Sequence, residues 1–352
     1  MDALILDKNF RQVCLIDEYA SFIWTERYNT YGDFEIEVPY TKELMSSIEL
    51  EYYVWIKDSD RLMIIESIKT EYNIENSLML TLSGRSLESI LDRRIIWSQT
   101  TISGNLQNGI KKLLNENVIS PSDTSRAINN FIFVDSTDTS ITSLTLTVQF
   151  TGDNLYTAIS EICAAYNIGF KVILDDNNKF AFSLYNGIDR SYDQNTNPYI
   201  IFSRNLDNLL NSNYLESNKT LKTITLVAGE DKDKNRKTRT VGTGTGLERR
   251  ELYTDARDIQ SEKEDGTQMT EAEYYELLDA RGASKLSENQ VSKAFDAKIE
   301  TTRVFVFNED FFIGDIVQIE SENDVKKKAR ITEAVRSQNE NGFEIYPTYE
   351  IL

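Results

Sequence analysis

The sequence predicts a β-rich α+β fold in three parts: small antiparallel β-barrel domains at residues 1–84 and 206–352, flanking an α+β domain at 85–205. Three observations predict it. Apolar and acidic residues alternate strictly through Phe34-Glu35-Ile36-Glu37-Val38, the period of two that gives a strand one buried and one wet face. From Ser86 the period lengthens, with Leu87, Ile90 and Leu91, then Leu106, Ile110, Leu113 and Leu114, forming helical stripes. After Thr220 strand patterns return and dominate the last third.

In order along the chain, residues 9–15 read as a strand leading into a second at 21–28. The Tyr31-Gly32-Asp33 break precedes the alternating segment, and strands follow at 52–57 and 62–72. Asn73-Ile74-Glu75-Asn76 reads as a hairpin turn into 78–82. Several short strands at this spacing make a small barrel or sandwich, closed by Ser83-Gly84-Arg85. In the middle part a turn-rich stretch around Ser120-Pro121-Ser122-Asp123 gives way to a strand at 144–148. Asp153 is then the predicted N-cap of a helix whose inner face carries Leu155, Ile159, Ile162 and Cys163, with Asn167-Ile168-Gly169 as its stop. Residues 170–174 and 180–185 form a hairpin across Asp175-Asp176-Asn177-Asn178. The last third places strands at 220–228, 247–254, 295–307, 313–319 and 329–337. One inserted helix, around 270–289, interrupts them, and its start, Thr270-Glu271-Ala272-Glu273, has the spacing of a capping box. The β-rich ends invite a reading as related domains, although no repeat links them in sequence.

The chain has 352 residues, 40% of them hydrophobic, which is enough for two or three packed cores. It contains no histidine. That excludes Ser-His-Asp and Cys-His catalysis, His-Glu-x-x-His zinc sites and His-ligated haem. What remains is carboxylate, lysine or tyrosine chemistry, or no catalysis, and the last is the expectation here, with no cofactor and no metal. With 57 Asp and Glu against 38 Lys and Arg, the formal net charge is −19. Such a balance opposes a grip on phosphates and suits a surface that nucleic acid slides past. No apolar run approaches the roughly 20 residues that cross a bilayer, so no membrane insertion is expected. The N-terminus, Met1-Asp2-Ala3-Leu4-Ile5-Leu6-Asp7, lacks the basic start of a secretory signal. The two cysteines, Cys14 and Cys163, read as buried free thiols of a chain made in a reducing cytoplasm.

Few segments hint at chemistry. Thr240-Val241-Gly242-Thr243-Gly244-Thr245-Gly246 has glycines at a spacing that a dinucleotide fingerprint does not use, and a charged strand rather than a helix follows. It reads as a flexible connection. The cations around it, Arg236, Lys237, Arg239, Arg249 and Arg250, stand out in an acidic chain as a solvated loop or as a partner contact that orders on assembly. Asp231-Lys232-Asp233-Lys234-Asn235 opens like an EF-hand loop, but Arg236 and Gly242 stand where the glycine and the bidentate glutamate belong. The pairs Asp175-Asp176 and Glu309-Asp310 can each supply half of a glycosidase dyad, the hydrolytic scheme that needs no histidine. Turn propensity explains both pairs equally well.

Read as strings, several segments resemble one family along nearly the whole chain. Phe22-Ile23-Trp24-Thr25-Glu26-Arg27-Tyr28-Asn29, Gly32-Asp33-Phe34-Glu35 and Val38-Pro39 resemble the opening of siphophage tail hub proteins of Gram-positive hosts, the N-terminal structural modules of tail-associated lysins. Gly84 to Arg94 (GRSLESILDRR), Gly152-Asp153-Asn154-Leu155, Leu226-Val227-Ala228-Gly229-Glu230, Arg249-Arg250-Glu251-Leu252 and Glu309 to Val317 (EDFFIGDIV) continue the resemblance in the same order. It implies a homotrimeric hub at the virion tail tip, or baseplate. Two similar barrels per chain would build a pseudo-sixfold ring beneath the distal tail protein. The implied partners are that distal tail protein, the tape measure protein, and a tail fibre, receptor-binding or lysin chain below. Genomic DNA would pass through the lumen without specific binding, repelled by the acidic wall. The chain stops at Leu352, where a hub module would end, so any peptidoglycan hydrolase is expected on another chain. Two rival readings predict different behaviour: a cell-wall glycoside hydrolase using two carboxylates, and a host-glycan binding module using exposed aromatics.

Overall fold

The computed structural model describes residues 1–74, 77–230, 236–299, 303–320 and 326–352. Part of the predicted 73–76 turn, the Asp231–Asn235 segment and part of the predicted 295–307 strand lie outside the described residues. With 42% of the chain in strands and 21% in helices, the fold is the β-rich α+β class the sequence predicts.

One 13-stranded sheet unites the two ends of the chain. Its path runs Leu209–Ser217, Ser292–Ile299, Gly342–Ile351, Lys326–Asn339, Ser21–Arg27, Asp33–Pro39, Ser77–Ser86, Leu62–Asn73, Tyr53–Ile56, Ala3–Leu6 and Gln12–Ile16. Ile316–Glu320 pairs beside Lys326–Asn339 and carries Ile201–Ser203 in parallel. The seam is the antiparallel pairing of Ser21–Arg27 with Lys326–Asn339, from Arg27 opposite Glu333 to Ser21 opposite Asn339. No closed barrel is found among the described residues. The strands instead wrap two separate cores. One holds Phe22, Trp24, Phe34, Ile36, Val38, Leu80 and Leu82. The other holds Phe202, Phe311, Val317, Ile319, Ala329 and Ile331. Alternation explains the first: Phe34, Ile36 and Val38 are buried, and Glu35 between them faces water.

A third core belongs to the middle of the chain. The Leu106–Leu114 helix buries Leu106, Ile110, Leu113 and Leu114 as its stripe predicts. They pack with the Leu155–Ala165 helix and with Phe170, Val172, Phe180 and Phe182 of the 169–174/180–185 hairpin. A fourth core lies under a smaller sheet of Ile224–Ala228, Thr238–Gly242 and Glu251–Asp255, against which the Glu271–Ser287 helix packs. That helix starts with the predicted capping box: Thr270 Oγ1 accepts from the Glu273 N–H, and Glu273 reaches back to the Thr270 N–H.

Several local expectations are corrected. Ser83-Gly84-Arg85 does not close the first β region, because the strand runs on to Ser86. A bulge between Ile65 and Ser67 bends the partner strand across Gly84, where a Cβ would lie 1.8 Å from the Ile64 carbonyl oxygen. The middle helix is capped by Asn154, whose Oδ1 accepts from the Thr157 N–H, while Asp153 turns back to the Thr151 N–H. Thr238–Gly242 is a strand rather than a flexible connection. Cys163 is buried as expected, but Cys14 is half-buried, and both are free thiols.

The three parts of the chain meet at Tyr28. Its hydroxyl lies within hydrogen-bond reach of the Asn167 carbonyl at 3.1 Å and Asn186 Oδ1 at 3.0 Å, and Arg330 Nη1 donates to it at 3.1 Å. The Arg330 guanidinium also stands 5.0 Å from the ring centroid. The ring packs against two glycines: a Cβ on Gly169 would come within 2.4 Å of it, and one on Gly314, at φ +95°, within 2.6 Å. Tyr28→Phe is therefore expected to lower stability by about 1–3 kcal/mol, the cost of leaving buried partners unmet. Gly314→Ala should cost more, through both the clash and the backbone conformation. Denaturant unfolding midpoints of the two variants check the order.

Candidate functional site

Where the first strands, the middle part and the last strands converge, a cleft of about 950 Å³ opens. Its floor is built from buried ion pairs, each contributed by two distant segments. Arg61, on the turn before the Leu62–Asn73 strand, donates to Glu88 Oε1 and stands 3.3 Å from the Tyr185 hydroxyl. Glu88 also accepts from the Val172 N–H at 2.9 Å. Arg336 donates to Glu26 at 2.5 Å, and Glu26 takes the Trp24 indole N–H at 3.0 Å as well. At the far side Asp315 accepts from Arg190 Nε at 2.7 Å and from the backbone N–H groups of Ile188 and Phe312.

These carboxylates are committed acceptors. Each faces a guanidinium and at least one further donor, so the arrangement fixes segments in place, and Glu88 Oε2 alone among these oxygens is buried without a hydrogen-bond partner among the described residues. Burial pushes the Tyr28 phenol up to about 12, against the opposing pull of Arg330. Burial also raises the Tyr185 phenol and the Cys163 thiol, which keeps both protonated and unreactive. Among the described residues no group of three or more Cys, Asp or Glu is placed to hold a metal ion. No helix among them is long and apolar enough to cross a membrane.

The acidic pairs weighed as half-dyads are turn residues. Asp175 Oδ1 accepts from the N–H groups of Asn177 and Lys179, both at 2.8 Å, closing the hairpin. Asp310 Oδ2 accepts from the Val306 N–H at 2.7 Å. Glu309 lines the cleft and Asp176 is exposed.

The five cations of the predicted contact segment do not form one patch. Arg239 makes a two-pronged pair with Asp279 at 2.8 and 2.7 Å and stacks 5.1 Å from the Tyr275 ring. Lys237 lies beside it, 3.9 Å from Glu271 and over the rings of Tyr274 and Tyr275. Arg236 instead donates to the Tyr253 hydroxyl, Arg249 pairs with Glu251 at 2.5 Å, and Arg250 donates to the Asn218 carbonyl. The structure thus brings Lys237 and Arg239 together against the Glu271–Ser287 helix and spreads the other three.

The buried arginines went unnoticed in the sequence, yet a signal exists. Glu26 occupies an inward position of the Phe22-x-Trp24-x-Glu26 alternation, and an inward acid requires a buried cation. Removing one member of such a pair should be expensive: Arg336→Ala is expected to cost about 3–5 kcal/mol, whereas exposed Arg249→Ala should stay within about 0.5 kcal/mol, both read from denaturant midpoints. Tyr28 also gives a pH signature. Its folded value lies above the ordinary 10.0, so its stabilisation is whole below that pH and is lost as pH rises toward about 12. Tyr28→Phe should flatten that part of the alkaline unfolding profile.

No curated protein matches the sequence. Solved structures match the fold end to end. The 43 kDa tail protein of prophage MuSo2 from Shewanella oneidensis superposes with a TM-score of 0.60 at 11% identity, over 100% of this chain and 98% of that one. A tail protein from Neisseria meningitidis gives 0.58 at 10% identity, covering 99% and 96%. The prophage tail protein gp18 of Listeria monocytogenes gives 0.54 at 14% identity, covering 99% and 94%. At these identities the likeness is one of fold. Sequence supplies the family: residues 2–349 match the family described as Siphovirus ReqiPepy6 Gp37-like protein, and the chain belongs to it.

Proposed function

We propose that this chain is a non-enzymatic structural hub of a phage tail tip. The observation that carries the reading is the end-to-end fold likeness to tail proteins, with 94–98% of each neighbour covered and a family match over nearly the full length. Three copies close a ring around the distal end of the tail tube. Each contributes two barrel-like units, from residues 1–84 and 206–352, on either side of the 85–205 part. The ring meets the distal tail protein above and the tape measure protein within, and a fibre, receptor-binding or lysin chain below. DNA crosses its lumen without being held, which accords with a net charge of −19 per chain. The chain is made in the host cytoplasm and resides in the virion tail tip.

Two features of the molecule favour scaffolding over catalysis. Each buried carboxylate faces an arginine, and the Asp175 and Asp310 carboxylates each close a turn. Light scattering of the purified chain over a range of concentrations tests the ring. A species near three times 40.5 kDa is expected. A strict monomer, together with clearing of cell wall in a zymogram that one Asp or Glu substitution abolishes, would replace the hub with the hydrolase reading. Retention on purified cell wall in a pull-down would instead favour the glycan-binding module.

A further inference from the structure

The unit formed by Ile224–Ala228, Thr238–Gly242, Glu251–Asp255 and the Glu271–Ser287 helix has its own core of Val227, Ala256, Ile259, Tyr274, Leu277 and Leu278. The chain enters it from the Leu209–Ser217 strand and leaves into Ser292–Ile299, two antiparallel neighbours at the end of the large sheet. It therefore hangs on a two-stranded stalk. Its other attachment is to the middle part of the chain, and that attachment is polar.

Gln149, itself buried, reads the backbone of Gln260 as a strand neighbour would: its Oε1 accepts from the Gln260 N–H at 2.8 Å and its Nε2 donates to the Gln260 carbonyl at 3.3 Å. Glu264 accepts from the Thr101 N–H at 2.8 Å and pairs with Lys112 at 3.1 Å. Gln99 donates to the Glu262 carbonyl and Thr147 to Glu276. The apolar clusters of the two parts do not merge among the described residues. Clefts flank the contact on both sides, one of about 410 Å³ and one of about 500 Å³, the latter lined by Leu146, Phe150 and Ile162 facing Ile259 and Leu277.

We propose that residues 224–230 and 236–287 form a hinged lobe, held closed against the middle part by this polar latch and able to open as a unit with its own core intact. The physical asymmetry is plain. Opening exchanges a handful of hydrogen bonds and one half-exposed ion pair for bonds to water, a small net change, and also uncovers the cleft-facing parts of Leu146, Phe150, Ile162, Ile259 and Leu277, which are buried in the closed form. Unfolding the lobe would instead expose its whole apolar core. The opened state bares the apolar lining of the larger cleft, so a partner that covers those side chains would hold the lobe open. The device is independent of the tail role.

Amide hydrogen exchange on the full chain tests it. Glu264→Ala removes the Thr101 and Lys112 contacts and leaves both Gln149–Gln260 bonds in place. A unit that opens as a whole makes the distant reporter respond: the Gln260 amide in Glu264→Ala should exchange about tenfold faster, while amides of Ile224–Ala228 keep their protection. Gln149→Ala is the less selective arm, because Gln149 Nε2 also donates to Thr101 Oγ1 at 3.4 Å. If only the amide that lost its own acceptor speeds up, the latch is two independent contacts and the hinge is wrong. If Ile224–Ala228 exchanges in step with the reporters, the lobe does not open intact and the proposal fails equally. Glu264 is exposed, so its substitution carries the test even where loss of buried Gln149 unfolds the lobe.

Discussion

The contact on which the rest depends is a tyrosine held between two glycines and an arginine. Tyr28 ends the Ser21–Arg27 strand, Gly169 opens the middle hairpin, and Gly314 and Arg330 belong to the last part of the chain. These four residues span almost the full sequence, and the contact forms only when all three parts are in place. Its chemistry is economical: one phenol offers a ring face to a guanidinium and a hydroxyl to three segments. The glycines are required because the ring occupies the space a Cβ would need. Contacts of such sequence separation must offset the entropy of closing long loops before they stabilise the fold.

Around that point the sheet and the buried arginines divide the labour. The seam between Ser21–Arg27 and Lys326–Asn339 makes one sheet from the two ends, and a bulge between Ile331 and Glu333 bends the long strand just where Tyr28 N–H donates to the Thr332 carbonyl. Arg27 clamps the same place from outside, pairing with Asp33 and Glu333. Arg336–Glu26, Arg61–Glu88 and Arg190–Asp315 then tie the cores across the cleft. Buried pairs of this kind add little net stability but penalise every alternative packing that would leave one member alone. They specify the arrangement more than they strengthen it.

What the sequence revealed follows from how local each cause is. Alternation in Phe34–Val38, the Leu106–Leu114 stripe and the Thr270/Glu273 capping box are decided within a few residues, and each stands where it was expected. The Gly342–Ile351 strand was missed, since Pro347 argues against a central strand. The proline is tolerated because its neighbour on one side, Ser292–Ile299, pairs only at Glu350 and Tyr349 and stops short of it. Thr238–Gly242 was hidden by its glycines and by Arg239 at an inward position, which makes sense only once Asp279 on the helix is set opposite. The cluster of five cations looks like one feature in sequence and is divided in space: strand alternation sends Arg239 to the helix side and leaves Thr238 and Thr240 on the other, while Arg236, Arg249 and Arg250 take separate partners.

The same partition of charge explains how so acidic a chain folds and what its surface can do. The three buried carboxylates across the cleft are matched one for one by arginines, so those pairs contribute nothing to the net charge. Arg330 is buried as well, against the Tyr28 hydroxyl and the Gly314 carbonyl, so the surface carries at least the whole excess of 57 acids over 38 bases, 19 charges, where water and counterions screen it over about 8–10 Å. Copies of this chain repel one another at a distance, and so does any polyanion. Stable contact between copies must then come from short-range terms that act inside the screening length, apolar burial and paired edges, rather than from charge. A surface that repels at long range and binds only on close fit suits a component that assembles in one order with defined neighbours.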